Sequence, residues 1–368
     1  MKIARWSLEF YRLPYLRQVV WANAVEDSGL YALLRIASED GHAGLAEGTV
    51  KATWSGVSPA SLCASLQDLV MPAVAAIDVG DPQAVRAALA PIPENRMAKG
   101  MLESACAMLR AAAAGRPLWQ CWNGSREVEV SWTVTRQPPE VMAREAAEVA
   151  ERHGIRAFKV KGGQGMDTDR RALRAIRRVL GDGARLSVDA NSAYGRDEAA
   201  AYLRLLEEEG VQAAEDPCAL RPDRHFEALQ QGTRLPIIVD SACTTTAEAA
   251  LFLERGARAL SAKPGRIGMG EAQAMQALAV AHGARIATGI YAESALGTLV
   301  NLQQAAAVPE ADSAFPAEQT FFLTLAEQVV AGTPVIRQGR VALPASAGSD
   351  DWLDPERLAR YRLAWPRV

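Results

Sequence analysis

The chain has 368 residues, 49% of them hydrophobic and 23% charged, with a formal net charge of −3. That composition supports a packed globular core, and the lack of a basic excess argues against a nucleic-acid partner. No apolar run nears the roughly 18 residues a membrane helix needs, MKIARWSLEFYRLP lacks a signal-peptide core, and five cysteines without a C-x-x-C pair fit reduced thiols in a cytoplasmic protein.

Residues 1–126 read as a mixed α+β domain. SGLYALLRIASEDGHAGLAEG (28–48) predicts a hairpin turning at Glu39-Asp40-Gly41, and helices are expected around 57–77, 82–91 and 96–113. From residue 127 a rhythm sets in. Strands are predicted over 128–134, 156–161, 185–191, 211–216, 235–240, 258–264 and 285–290. Between and after them, helices are predicted over 138–154, 168–183, 196–210, 221–232, 246–257, 270–284 and 297–308. A weaker eighth strand fits Ser313–Glu318. The strand runs are apolar enough to be buried on both faces, as parallel strands are. Seven or eight strand–helix units in a row argue for a β/α barrel over 127–340. An open doubly wound sheet is the competing layout, but neither G-x-G-x-x-G nor G-x-x-x-x-G-K-[ST] occurs where it would be needed. The segment 341–368 is expected to return to the first domain.

A barrel of this type carries its chemistry at the C-terminal ends of its strands. Strand two ends in Lys159-Val-Lys161, strand three in Asp189-Ala-Asn191 and strand four in Glu215-Asp216-Pro217. Strand five ends in Asp240-Ser241, strand six in Lys263, and the last strand near Glu318. Lys159 and Lys161 share one face because strand side chains alternate. Three carboxylates on successive strands repel one another unless a cation intervenes, and oxygen-only ligands favour Mg²⁺ or Mn²⁺. Asp189, Glu215 and Asp240 are therefore candidate metal ligands. Lys161 and Lys263, from opposite sides of the barrel, are candidates to move a proton on either face of a metal-bound carboxylate substrate. A divalent ion and a neighbouring lysine would bring one lysine pKa down towards neutrality. Asn191 is a candidate partner behind the metal ligands, and Asp216 is expected to orient a lysine or cap the next helix.

These residues resemble the enolase superfamily, and within it the muconate lactonizing (muconate cycloisomerase) subgroup. The resemblance runs over FKVKGG, VDAN, AEDP, IIVDS, AKPGRIGMGEA and ATGIYAESALGTL, and covers most of the chain. It implies a modified TIM barrel, (β/α)7β, with an N-terminal α+β capping domain. It also implies an isomerase or lyase working through an enediolate with Mg²⁺ or Mn²⁺, and a role for Lys159 in holding the substrate carboxylate. It makes Glu318 the last-strand acid and Glu293 part of the segment after strand seven. Capping loops at Leu13–Ala24 and Thr49–Gly56 would set specificity, with Trp21 and Trp54 as lid candidates. Four features depart from the subgroup: Asp240-Ser241 stands for Asp-Glu, Glu215-Asp216-Pro217 for Glu-Gln-Pro, the segment after Glu318 lacks Gly-Pro, and PASAGSDDWLD (344–354) replaces Pro-Gly-Leu-Gly.

The expected function is proton abstraction or addition α to a carboxylate, as in muconate cycloisomerisation. Racemisation or epimerisation of N-acyl amino acids, dipeptides or proline-like acids, and β-elimination as in succinylbenzoate synthesis, use the same core. A metal-free Schiff-base lyase using Lys263 is the reading from a different class. A small carboxylic acid is the expected partner, together with further copies of the chain in a homo-oligomer.

Overall fold

The computed structural model describes residues 1–21 and 25–364. Strands β1 (Ile3–Val20), β2 (Val25–Ser38) and β3 (Ala43–Thr49) form an antiparallel sheet in that order. The β2–β3 hairpin matches the sequence reading, whereas β1 was not predicted. Its side chains alternate between two buried faces. Leu8 and Phe10 join Ala32, Leu34 and Ile36 against the helices of this domain, and Tyr11 and Leu13 join Tyr31 and Leu33 against the barrel. With both faces apolar, the strand lacks the one-sided alternation that reveals a half-buried strand. The expected loop Leu13–Ala24 is accordingly corrected: residues 13–20 belong to β1, and 22–24 lie outside the described residues. Of the second expected loop, Ala52–Ser55 forms a single helical turn. The helix expected near 57–77 runs as Pro59–Ala64, Ser65–Val70 and Met71–Val74. Its middle widens to a π-type turn just before Pro72, which has no N–H to give.

After the short strand β4 (Glu127–Glu129) come β5 (Trp132–Val134), β6 (Ala157–Lys161), β7 (Arg185–Asp189), β8 (Ala213–Glu215), β9 (Ile237–Val239), β10 (Ala259–Ala262) and β11 (Arg285–Thr288). Strands β5 to β11 pair in chain order, each parallel to the next. The predicted strand 128–134 is split between two sheets. Its first part, β4, joins the antiparallel pair β12 (Ile336–Arg337) and β13 (Arg340–Ala342), and only β5 enters the barrel. The break falls where backbone donors diverge: Val130 N–H reaches Gly339 O and Ser131 N–H reaches Ala317 O. The expected eighth strand Ser313–Glu318 is not formed as a strand, but residues of that stretch join the two edges by isolated parallel bridges, Val130–Ala317 and Ile286–Ser313. Seven helices, from Pro139–His153 to Ala295–Ala306, alternate with the strands, and a short turn Pro264–Ile267 follows β10.

Strand alternation sorts the barrel residues. Phe158, Val160, Leu186, Val188, Ile237, Val239 and Leu260 point out into the helix layer. Ala213, Ile238, Ala259 and Ala287 form a small separate core inside the ring. Those small inward residues fill the barrel floor and leave the strand ends above them to charged side chains. The returning segment crosses back to β1: Leu363 N–H bonds Phe10 O at 2.8 Å, and Arg362 lies 3.5 Å from Glu9.

Candidate active site

Register places the expected site residues side by side. Lys161 is opposite Asp189, and Asp189 opposite Glu215, at the C-terminal ends of β6, β7 and β8. Lys159 Nζ is 2.6 Å from Glu318 Oε2, 2.9 Å from Glu215 Oε2 and 3.7 Å from Asp189 Oδ2. Lys161 Nζ donates to Asp189 Oδ2 (2.5 Å) and Asn191 Oδ1 (3.2 Å). Across the ring, Lys263 Nζ donates to Asp240 Oδ2 at 2.5 Å. Asp189, Glu215, Asp240, Glu318 and Lys159 are all buried.

Burial would push Asp189 and Asp240 up, but their cations win. Lys161 and Lys159 hold Asp189 below the usual carboxylate range, and Lys263 and Arg266 hold Asp240 far below it. Glu215 goes the other way: burial and the neighbouring Asp189 push it well up against the pull of Lys159. Burial lowers Lys159 and Lys263, yet the surrounding carboxylates outweigh it and keep both protonated.

Among the described residues no three His, Cys, Asp or Glu side chains form a ready-made metal-holding group. The lysine nitrogens stand between the carboxylates in the position of a cation. The donor set nevertheless fits a hard divalent ion: Asp189, Glu215 and Asp240 offer only oxygen, and buried Glu215 Oε1 has no hydrogen-bond partner.

Several contributors were not legible as such. Arg266, one helical turn after Lys263, donates to Asp240 Oδ1 at 3.1 Å. Arg136, just past β5, reaches the backbone beyond β6 and β7. Asp216 neither orients a lysine nor caps a helix. It accepts from Ser241 N–H (2.9 Å), Ser241 Oγ (2.6 Å) and Asp240 N–H (3.2 Å). Two of the departures from the subgroup pattern thus meet, an acid just past β8 and a short hydroxyl just past β9. Reading the residue just past each strand end would have found Arg136, and the i+3 spacing from Lys263 would have found Arg266.

Trp21 and Trp54 meet edge-on at 4.8 Å between centroids. Trp54 also packs on Tyr291 (5.3 Å), beyond β11, and Trp21 on Phe321 (5.6 Å), beyond Glu318. Lys51 lies 3.7 Å from the Trp21 ring centre and 4.5 Å from that of Trp54, and it ion-pairs with Glu26. An aromatic roof therefore runs from the N-terminal domain to two barrel loops. A cavity of about 400 Å³ bordered by Arg12, Glu26 and Lys51 opens beside it, away from the strand-end charges. Glu293 lies behind the Lys263 segment. It accepts from Tyr291 N–H and from Asn301 Nδ2, both at 2.8 Å, and burial raises its pKa to about 7.

Residues 141–349 match the sequence model of the family described as Enolase C-terminal domain-like. An N-succinylamino acid racemase of Thermus thermophilus is 34% identical, over 83% of this chain and 83% of its own. Muconate cycloisomerase 1 of Pseudomonas putida is 26% identical over 89% of each. A muconate lactonizing enzyme from Mucobacterium Smegmatis, solved with muconolactone, shares the fold with a TM-score of 0.91. It is 24% identical, over 99% of this chain and 100% of that one.

Proposed function

The chain belongs to the enolase superfamily, among its muconate lactonizing enzyme-like members, and is an enzyme of the isomerase/lyase kind; from that premise we propose that it moves a proton at the carbon α to a substrate carboxylate, with an N-acyl amino acid as substrate and racemisation as outcome. The observation that carries this reading is the opposition of Lys161 and Lys263. They stand on strands half a barrel apart, each hydrogen-bonded to a different strand-end aspartate. A lysine on each face permits removal and return of the proton from both sides. The 34% identity to a racemase favours this outcome.

Enzymes of this family generally use divalent metals, and here Asp189, Glu215 and Asp240 would hold Mg²⁺ or Mn²⁺. Such an ion supplies Lewis-acid stabilisation of the charge that develops on the substrate carboxylate. Lys159 Nζ, buried and protonated, adds a fixed positive charge beside that carboxylate. Lys161 Nζ takes the α-proton on one face and Lys263 Nζ delivers one on the other. Trp21 and Trp54 roof the site and exclude water. Glu318 balances Lys159, and Glu293 braces the segment that carries Lys263.

Muconate-type cycloisomerisation is the second reading. It is favoured by the fold shared over nearly the whole chain with a muconate lactonizing enzyme, and it needs only one of the two lysines to act on the substrate. Capping residues 1–126, a barrel over 127–340, a returning segment 341–368, a homo-oligomer and a cytoplasmic setting complete the proposal. Chiral chromatography of single-enantiomer N-succinyl and N-acetyl amino acids incubated with enzyme and Mg²⁺ tests it, beside ultraviolet assay of cis,cis-muconate. Racemisation lost in both Lys161→Ala and Lys263→Ala is expected. Lactone formation without racemisation would transfer the assignment to the second reading. Borohydride trapping of substrate on Lys263 without metal would replace both by the Schiff-base reading.

A further inference from the structure

Lys161 is the last residue of β6, and the loop after it is Gly162-Gly163-Gln164-Gly165. Gly163 and Gly165 adopt φ of +84° and +98°. A glycine-rich loop has much backbone freedom to lose, and a proton-transfer group attached to it needs that freedom removed. Two side chains outside the expected site do so.

The first is Asp169. It is buried, 3% exposed, and among the described residues has four donors and no ion-pair partner. Gly163 N–H (2.7 Å) and the hydroxyls of Tyr194 (2.6 Å) and Tyr202 (2.7 Å) donate to Oδ2, and Gln164 N–H donates to Oδ1 (3.1 Å). Tyr194 follows β7, and Tyr202 lies in the next helix, so one carboxylate joins the loop after β6 to the segment after β7. Capping its own helix would explain the two amide bonds but not the two phenols. Burial and Asp169 push both phenols up, Tyr194 out of the physiological range and Tyr202 further, so both remain donors.

The second is Arg136. Its Nε donates to Gly162 O (2.6 Å), and its Nη2 to Ala190 O (3.1 Å) and Asn191 Oδ1 (3.3 Å). That same Asn191 oxygen accepts from Lys161 Nζ, and Asn191 Nδ2 donates to Asp189 Oδ2 at 3.1 Å. Asn191 is held at φ +47°, a left-handed conformation that costs energy without such ties. The side chain on which Lys161 leans is thus itself held by Arg136.

We propose that Arg136 and Asp169 are positioning residues that clamp the loops after β6 and β7 and thereby aim Lys161 at its face of the substrate. The proposal rests on the assignment of Lys161 as a proton-transfer group. Lys263 is steadied by another residue, Asp240, whose Oδ2 accepts from its Nζ at 2.5 Å. The clamp therefore acts on one face only, which a general structural role would not do.

The test uses the Mg²⁺-loaded enzyme and each enantiomer of an N-succinyl amino acid in D₂O, with α-proton exchange followed by NMR. Lys161→Ala identifies the enantiomer whose exchange depends on Lys161. Arg136→Met is expected to slow that enantiomer by about tenfold to a hundredfold, the range for a misplacement near 1 Å, and to leave the other within about twofold. Arg136→Lys does not restore it, because a single ammonium cannot bridge both loops. Equal slowing of both enantiomers, or of neither, overturns the proposal. A second arm needs no substrate. Competitive acetylation with peptide mapping reads Lys161 against Lys263, and Asp169→Asn is expected to change that ratio severalfold. An unchanged ratio in a variant with normal circular dichroism overturns the clamp. If the wild type exchanges no acid, the assigned reaction fails, and the acetylation ratio still decides the clamp.

Discussion

Replacing Lys159 by methionine tests the charge balance at the centre of the site. Lys159 Nζ is the cation nearest to both Glu318 (2.6 Å) and Glu215 (2.9 Å), and its side chain is 1% exposed. Methionine keeps most of the volume but leaves buried carboxylates without their partner, a change that costs about 3–5 kcal/mol. Protonation of Glu215, already favoured by burial, absorbs part of that cost, so the lower end is expected at mildly acidic pH. In a chain of this size the loss corresponds to a Tm lower by about 4–7 °C. A divalent ion bound by the freed carboxylates at a hundred times its Kd returns about 2.7 kcal/mol. Thermal melts followed by circular dichroism, in EDTA and in excess Mg²⁺, read both effects. Lys159→Met should be destabilised in EDTA and should gain more from Mg²⁺ than the wild type does. A variant as stable as the wild type in EDTA, or one with the same Mg²⁺ response, would refute the reasoning.

Other substitutions probe how the N-terminal domain meets the barrel. Buried Glu47 accepts from Ser294 N–H (2.9 Å) and from the hydroxyls of Tyr11 and Ser294, at the start of helix Ala295–Ala306; Glu47→Ala should cost about 2–4 kcal/mol in urea unfolding, and Glu47→Gln less. At Gly100, whose added Cβ would lie 2.6 Å from Gly268 N, alanine must displace backbone after the Lys263 turn; a loss of about 1–3 kcal/mol together with reduced kcat is expected. Glu103 has its pKa raised to about 7 by burial, partly offset by Arg86 at 4.0 Å. Its folded form retains the proton, so this contribution is complete below the ordinary value of 4.5 and is lost as pH rises through about 7. Glu103→Gln should flatten that part of the stability profile, read as denaturant midpoints at about pH 5 and about pH 8. Trp54→Ala removes aromatic contacts worth about 0.5–1.5 kcal/mol each; it should raise KM well beyond any change in Tm, whereas a fall in Tm with unchanged KM would make Trp54 ordinary interface packing.

The barrel was legible because its signal repeats. Lys159 and Lys161 could be placed on one inward face by alternation alone, and Asp189, Glu215 and Asp240 fell at successive strand ends. What escaped depends on contacts between segments distant in sequence. β1 was hidden because Phe10 and Tyr11 are both buried, on opposite faces, so no polar face marks it as a strand. The stretch 128–134 reads as one strand, since nothing local records that Val130 and Ser131 bond different partners. Asp216 and Ser241 looked like separate departures until the fold put one against the other. Arg136 belongs with Asn191 only because β5, β6 and β7 are neighbours.

The central claim is that two lysines act on opposite faces of one α-carbon. It is tested most directly by enantiomer-resolved deuterium uptake in D₂O with Mg²⁺, comparing the wild type with Lys161→Ala and Lys263→Ala. The account predicts uptake by both enantiomers in the wild type, dependent on the divalent ion, with each variant losing exchange of a different enantiomer. Loss of the same enantiomer in both variants, or uptake that persists in both, would contradict it.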